Sequence, residues 1–311
     1  VTDKLSEFGL IAKYFVPLAT HPGALALSDD AAVLKAEADH DLVMTADALT
    51  AGVHFLPDDP PNLIASKALR VNLSDLAAKG AEPVGYLLAL ALPQSIDDVW
   101  LAEFARGLGE DQKTFGVSLL GGDTTATPGP LTIAITAIGR VPHGTMIRRS
   151  DAKPGDHVFV SGTIGDAGAG LAILQGETAR ETDAAFLIGR YRQPTPRVSL
   201  GPKLRGLANA SLDVSDGLIA DLGHIAETSQ VRIVVEADAI PRSDALKVFD
   251  PDIVRAATAG DDYEIAFTAS AAIPAGLPVT RIGRVEAGQG VVLLDGQGQE
   301  IAVPKAGFTH F

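Results

Sequence analysis

Helical and strand-like periodicities are interleaved through both halves of this chain, which predicts an α/β or α+β protein of two domains. Three observations carry that reading. The 311 residues suit two domains of ordinary size. Apolar runs of strand length alternate with apolar residues at helical spacing in each half. The segment Val141–Gly155 gathers glycine and proline breaks around the adjacent Arg148 and Arg149. We place the boundary there, giving domains 1–146 and 147–311.

The elements follow in order. Leu5, Phe8, Ile11, Ala12 and Phe15 recur at helical spacing, so a helix is expected at the start. Ala24–Leu27 and Leu42–Met44 are short apolar runs, each followed by an acidic motif, as at strand-to-loop junctions. Asn62–Lys79 reads as a helix burying Leu63, Leu69, Leu73 and Leu76, with Gly80 as its stop. Val84–Leu92 is a strand, and Asp97 caps a helix running to Thr114. Val117–Leu120 and Leu131–Arg140 are strands, the second alternating Ile133, Ile135 and Ala137 with polar or small residues. Beyond the boundary, Val158–Val160, Ser211–Val214, Val231–Glu236, Glu264–Thr268, Arg281–Val285 and Val291–Leu294 are strands. Gly165–Gln175 and Gly217–Thr228 are helices, and Gln193–Pro202 is an ordered, proline-rich loop.

Composition excludes several classes. Hydrophobic residues make up 46% and charged residues 21%, as in ordinary globular chains. Only 5% are aromatic, so Ala, Val, Leu and Ile must build the cores. A formal charge of −14 argues against a nucleic-acid partner held through phosphates. With no cysteine there are neither disulfides nor thiolate metal sites, which is compatible with the cytoplasm. The first residues show no basic–apolar secretion pattern. No apolar run approaches the ~18 residues of a membrane span.

Five acidic motifs carry the chemistry: Ser28-Asp29-Asp30-Ala31-Ala32, Met44-Thr45-Ala46-Asp47, Asn72-Leu73-Ser74-Asp75, Gly121-Gly122-Asp123-Thr124-Thr125 and Leu212-Asp213-Val214-Ser215-Asp216-Gly217. Each sets a carboxylate beside small or hydroxyl residues, a pattern that supplies oxygen ligands to hard divalent cations. Carboxylates gathered together repel unless cations or protons lie between them. A multi-magnesium site handling phosphate is the reading we adopt. Plainer roles exist for each motif. Asp29-Asp30 is also what a solvated turn looks like, and Asp75 a surface charge on a helix. Gly121-Gly122 allows positive φ and close approach of a phosphate, or simply a turn. Ser215 or Asp216 is a helix N-cap, and exposed amides there would also attract an anion. Gly162-Thr163-Ile164-Gly165-Asp166 is a phosphate loop or a tight packing contact. Arg148-Arg149 is a triphosphate clamp or a linker, and a lone His54 is as a rule structural. There is no GxxxxGK[ST] motif and no protein-kinase signature, so a P-loop and a protein-kinase fold are excluded.

Taken in order, the motifs SDDAA, TxD, GVHF, NLSDLAAKGAEP, GGDTT, RSxAxPGD, SGxxGD, DVSDGL and GDDYE, spanning residues 28–264, resemble those of the thiamine-monophosphate kinase family. The closing Gly307-Phe308-Thr309-His310-Phe311 is similar as well. The resemblance implies the two-domain fold of the aminoimidazole-ribonucleotide-synthetase superfamily. There, N-terminal metal- and nucleotide-binding domains pair into a dimer whose sheets form a barrel, and the C-terminal domain is an α/β sandwich. It implies several magnesium ions and ATP as co-substrate, thiamine monophosphate as acceptor, a cytoplasmic homodimer, and no nucleic-acid or membrane partner. Carried over by motif, Asp30, Thr45, Asp47, Asp75, Asp123, Asp213 and Asp216 would hold magnesium, with Asp75 and Asp123 the catalytic pair. Gly121, Gly122, Arg149 and Ser215 would contact ATP, and His54, Glu264 and Phe308 the thiamine ester. Ala46 stands where the family often has a second hydroxyl, and Phe308 where it often has tryptophan.

The expected reaction is in-line transfer of the ATP γ-phosphoryl to an acceptor phosphate already anionic at neutral pH, so no protein base is needed. Two unit charges ~4 Å apart repel by about 4 kcal/mol at an effective dielectric of about 20, and the catalytic problem is to overcome that repulsion. Alternatives are an aminoimidazole-ribonucleotide-synthetase-type enzyme, a metal-dependent phosphohydrolase and a non-catalytic nucleotide sensor. Selenophosphate synthetases use a cysteine or selenocysteine that this chain lacks.

Overall fold

The computed structural model describes residues 6–309, so Leu5 and the closing His310-Phe311 lie outside the described residues. The chain divides into two compact units, Val1–Leu76 with Glu82–Gly144, and Ala77–Ala81 with Thr145–Phe311.

In the first unit, helix α1 (Glu7–Leu10) widens into a π-type turn at Ile11–Phe15 and a 3-10 turn at Val16–Leu18. The widening breaks the 3.6-residue period. Tyr14, Phe15 and Leu18 are therefore buried, whereas Phe8, expected on the buried stripe, is 80% exposed. Ala24–Leu27 is not a strand. It lies in 3-10 turns over Pro22–Leu27, with Leu25, Ala26 and Leu27 at φ of 50°, 54° and 55°.

Strand β1 (His40–Thr50), helix α2 (Pro61–Ala78), strand β2 (Glu82–Pro93), helix α3 (Asp98–Phe115) and strands β3 (Ser118–Thr127) and β4 (Thr132–Pro142) follow. The strands pair in the order β1-β4-β2-β3. Only β2 and β3 are parallel, with α3 as the crossover. Asp97 caps α3 as the sequence indicates, accepting from the Trp100 amide at 2.8 Å. Gly80, at φ 72°, terminates α2.

One sheet face buries Val43, Leu49, Leu88, Leu90, Ile133, Ile135 and Ala137. Ile64, Leu69, Leu73 and Leu76 of α2 and Leu101, Phe104 and Leu108 of α3 are buried too. The opposite face leaves Leu42 54%, Met44 66% and Leu87 39% exposed, with Ala46, Ala48 and Ala89 exposed beside them.

The second unit contains β5 (His157–Ser161), α4 (Asp166–Leu174), α5 (Glu181–Arg192), α6 (Gly201–Leu204), β6 (Ala210–Asp213), α7 (Leu218–Ser229), β7 (Arg232–Glu236), α8 (Asp244–Phe249), α9 (Ile253–Thr258), β8 (Ile265–Ala269), β9 (Val279–Glu286), β10 (Gly290–Leu294) and β11 (Glu300–Ile301). Its seven-stranded sheet runs β11-β10-β7-β9-β5-β8-β6. One core joins Val158, Val160, Leu212, Ile233 and Val235 to Leu218, Leu222 and Ile225 of α7. A second core holds Phe159, Ile265 and Phe267 with Leu200 and Leu204. The helices α5, α6, α8 and α9 and the short strand β11 escape the sequence reading.

Between α2 and α3, Arg70 grips the buried Asp111 through Nε at 2.8 Å and Nη2 at 2.7 Å. Removing one member of such a pair strands a charge out of water. Asp111→Ala is expected to lower unfolding free energy by about 3–5 kcal/mol, read as a shifted urea midpoint at unchanged slope.

Candidate active site

In the first unit the acidic motifs of β1 and α2 meet. Asn72 is fully buried; its Nδ2 donates to the Ala68 carbonyl one turn earlier at 3.0 Å. Its Oδ1 is thereby turned to accept the Asp47 amide at 3.1 Å, which pins the edge strand β1 to α2. Three residues on, Asp75 Oδ2 accepts the Thr45 hydroxyl at 2.5 Å. Thr45 and Asp47 alternate along β1 and so share a face. Burial first, and the charge of Asp75 second, push the Asp47 carboxyl up to about 6. The sequence-predicted trio Thr45, Asp47 and Asp75 is thus brought together.

Asp123 is not on that face. Asp47 pairs with Ile135 on the buried side, whereas Asp123 is in register with Ala89, Ala89 with Ala134, and Ala134 with Ala48. Those residues belong to the neighbouring row, whose side chains point the other way. Asp123 is exposed there, its carboxylate accepting the Thr124 amide at 2.9 Å.

Gly121 and Gly122 also differ from expectation. They lie inside β3 without positive φ, just after a bulge. A Cβ on Gly122 would sit 1.8 Å from the Leu88 carbonyl oxygen, so the glycine admits a neighbouring strand rather than demanding a turn. Asp30 is exposed, its amide held by Asp29 at 2.8 Å. His54 Nδ1 accepts the Thr50 amide at 3.0 Å within the turn after β1.

The second unit builds its acidic loop between β6 and α7. Asp213 ends β6 and is buried; Ser215 and Asp216 are partly exposed. The N-cap is Gly217 (φ 129°), and neither Ser215 nor Asp216 caps α7 with its side chain. Instead Asp221 Oδ2, from the first turn of α7, accepts the amides of Ser215, Asp216 and Gly217 at 3.0, 3.0 and 3.1 Å. Those amides are therefore already engaged and do not form the open anion site expected at this helix start.

Further bonds brace the same loop. The Tyr263, Asp261 and Phe308 amides donate to the carbonyls of Val214, Ser215 and Asp216 at 2.7, 2.8 and 2.9 Å. Phe308 is exposed, and Gly307 fits because a Cβ would stand 2.4 Å from the Asp216 carbonyl oxygen. The Arg149 carbonyl accepts the hydroxyls of Thr228 and Ser229 at 3.2 and 3.1 Å while its side chain is exposed.

Glu264 is fully buried and held by Ser161 Oγ at 2.6 Å, Arg190 at 2.9 Å and Arg197 Nε at 2.5 Å. Asp262, which burial pushes well above the usual carboxylate range, accepts the Gly165 and Ala167 amides at 2.6 and 3.2 Å. That glycine loop is accordingly filled by a protein carboxylate, and the plainer packing role describes it.

Among the described residues, no lysine or arginine is paired with Asp30, Asp47, Asp75, Asp123 or Asp216. Arg70 holds Asp111 instead, and Arg190 and Arg197 hold Glu264. Acidic oxygens without a protein counter-ion, one of them with a raised pKa, fit a divalent cation.

The comparisons agree on the class. Models of AIR synthase related proteins match residues 28–141 (N-terminal domain) and 153–296 (C-terminal domain), which defines the class of fold. The thiamine-monophosphate kinase of Caulobacter vibrioides is 45% identical, with 98% of this chain and 91% of that protein covered. The solved thiamine-monophosphate kinase of Stenotrophomonas maltophilia K279a superposes with a TM-score of 0.81 at 44% identity, covering 88% of this chain and 91% of that one. A structure described as AaThiL complexed with AMPPCP and TMP gives 0.82 at 33% identity, covering 99% and 97%. Within the AIR-synthase-related proteins, this chain belongs to the thiamine-monophosphate kinase family.

The burial of Asp47, with the charge of Asp75 beside it, has a measurable consequence. The folded-state pKa of Asp47 lies above its unfolded value, so folding is favoured at low pH, and that advantage is lost as pH rises through about 6. Without divalent cations, Asp47→Asn is expected to melt higher than wild type at pH 8. The gap should close as pH falls below about 6, as followed by thermal melts across pH.

Proposed function

We propose that this chain transfers the γ-phosphoryl group of ATP to thiamine monophosphate, forming thiamine diphosphate and ADP. The observation that carries the reading is the largely buried Asp47 beside Asp75, with no lysine or arginine paired to either among the described residues, in a chain of this family. We assign magnesium binding to Asp30, Thr45, Asp47, Asp75, Asp123, Asp213 and Asp216. Bound there, magnesium would neutralise the approaching phosphates and the charge on the transferring group. Thr45 orients Asp75 through its hydroxyl, and Asn72 fixes the backbone that carries Asp47. Both carboxylates are thus positioned before any ligand arrives, so little reorganisation is required. Gly121, Gly122, Arg149 and Ser215 are assigned to ATP; for Ser215 the contact falls to its side chain, since Asp221 holds its amide. His54 and Phe308 are assigned to the thiamine ester, and Glu264 acts on it in the form its burial permits, by holding Arg190 and Arg197. The first unit is the metal- and nucleotide-binding and dimerisation domain, and the enzyme works in the cytoplasm.

We further propose a homodimer. The exposed face with Leu42, Met44 and Leu87 is a contiguous apolar surface of the kind that marks protein contacts. Gly121 and Asp123 stand on that face, in register with Leu87 and Ala89. We therefore assign the metal contact of Asp123 to the assembled pair of chains rather than to the Asp47–Asp75 cluster of its own chain.

Incubation with ATP, magnesium and thiamine monophosphate should yield ADP and thiamine diphosphate. Free phosphate without the diphosphate ester would point to a phosphohydrolase instead. Asp75→Asn and Asp123→Asn should each cut turnover by about 100-fold or more with melting temperature nearly unchanged. Met44→Glu should shift sedimentation from dimer to monomer and lower turnover with it, while circular dichroism stays native.

A further inference from the structure

We propose that Asp221 is a positioning residue of the phosphoryl-transfer site, acting through the backbone of the Ser215–Gly217 loop; this rests on the function proposed above. The reasoning starts from burial. Asp221 is 4% exposed, and one of its oxygens gathers three consecutive amides at 3.0–3.1 Å. An acceptor shared by three successive N–H groups curls the backbone around itself. The carbonyls of the same loop must then face outward. They do so onto fixed donors, Val214 and Ser215 taking Tyr263 and Asp261, and Asp216 taking Phe308.

The amides of residues 214–217 and the carbonyls of residues 214–216 are thus each held by a partner outside the loop. Gly217 can follow this curl at φ 129°, and it passes so close to Thr258 that a Cβ would lie 2.8 Å from its carbonyl oxygen. The residues carried on the constrained segment are Asp213 and Asp216, assigned above to magnesium. Asp221 sits beside Asp216, their carboxylate oxygens and a His224 ring nitrogen all lying within 4.8 Å of one another. A buried acid placed next to an anionic ligand is unfavourable for folding alone. It is understandable where the acid fixes the direction in which that ligand points, as partners one layer behind a metal site do.

The test compares Asp221→Ala, which removes the acceptor, with Asp221→Asn, which keeps an acceptor oxygen but not the charge, in the full-length protein. Hydrogen exchange of the 215–217 amides should accelerate at least tenfold in the alanine variant and stay near wild type in the asparagine variant. Calorimetric affinity for AMPPCP with magnesium should fall by about 10–100-fold in the alanine variant and largely recover in the asparagine variant. Looser amides with unchanged nucleotide affinity in Asp221→Ala would reduce Asp221 to a purely structural cap and overturn the proposal. So would an Asp221→Asn protein as impaired as Asp221→Ala, because charge rather than hydrogen bonding would then be at work. Wild-type turnover in the same samples keeps the two readings apart: its absence sinks the kinase assignment, whereas the exchange and affinity differences judge Asp221.

Discussion

Holding carboxylates close together without cancelling them is the constraint on which this structure depends. A lysine or arginine beside Asp47 or Asp75 would stabilise the empty protein, and it would also compete with any divalent cation. The chain instead positions its acids with neutral groups. A threonine hydroxyl orients Asp75, a buried asparagine holds the backbone of Asp47, and main-chain amides surround Asp221. Each neutral donor fixes direction without supplying charge, so the electrostatic demand for a cation remains. Burial, and then the charge of Asp75, raise the Asp47 carboxyl in the absence of such a partner.

The arginines illustrate the same division from the other side. Arg70 holds Asp111 between two helices, and Arg190 and Arg197 hold Glu264 in the second unit. Those carboxylates lie deeper than Asp47, where an unpaired charge is costly to bury. Glu264 belongs to the same acidic turn as Asp261, whose amide supports Ser215. An ion-pair network buried for structural reasons therefore also braces the loop that carries Asp213 and Asp216.

Local signals were legible in the sequence; long-range ones were not. Asp97 and Gly80 mark helix ends because capping is decided within one turn. The alternation of Ile133, Ile135 and Ala137 revealed β4 because burial on one face imposes a period of two. Thr45 and Asp47 stand on one face of β1, but their place in mid-strand was hidden, since acidic residues at a strand edge resemble the start of a loop. Asp221 was invisible because it lies inside a regular helical pattern, and only the backward fold of the loop makes it a ligand of three amides. The partners of Glu264 and Asp262 stand 67 to 103 residues away, beyond any motif. Ala24–Leu27 was misread because an apolar run carries no sign of left-handed backbone.

The side on which Asp123 points shows how a single residue of register alters a functional reading. Strand side chains alternate, so a one-residue offset moves a carboxylate to the opposite face. The bulge between Leu119 and Gly121 supplies that offset: without it Asp123 would fall opposite the buried Leu90, whereas with it Gly122 lies opposite Leu88 and Asp123 opposite Ala89. The glycine is required there because the β2 backbone leaves no room for a side chain. Asp123 is thus delivered to the apolar face by the same bulge that makes Gly122 necessary. A lone aspartate on a surface of leucine, methionine and alanine serves no purpose in the core of its own unit. The homodimer proposed above would cover that surface and bring a charged ligand to the carboxylate.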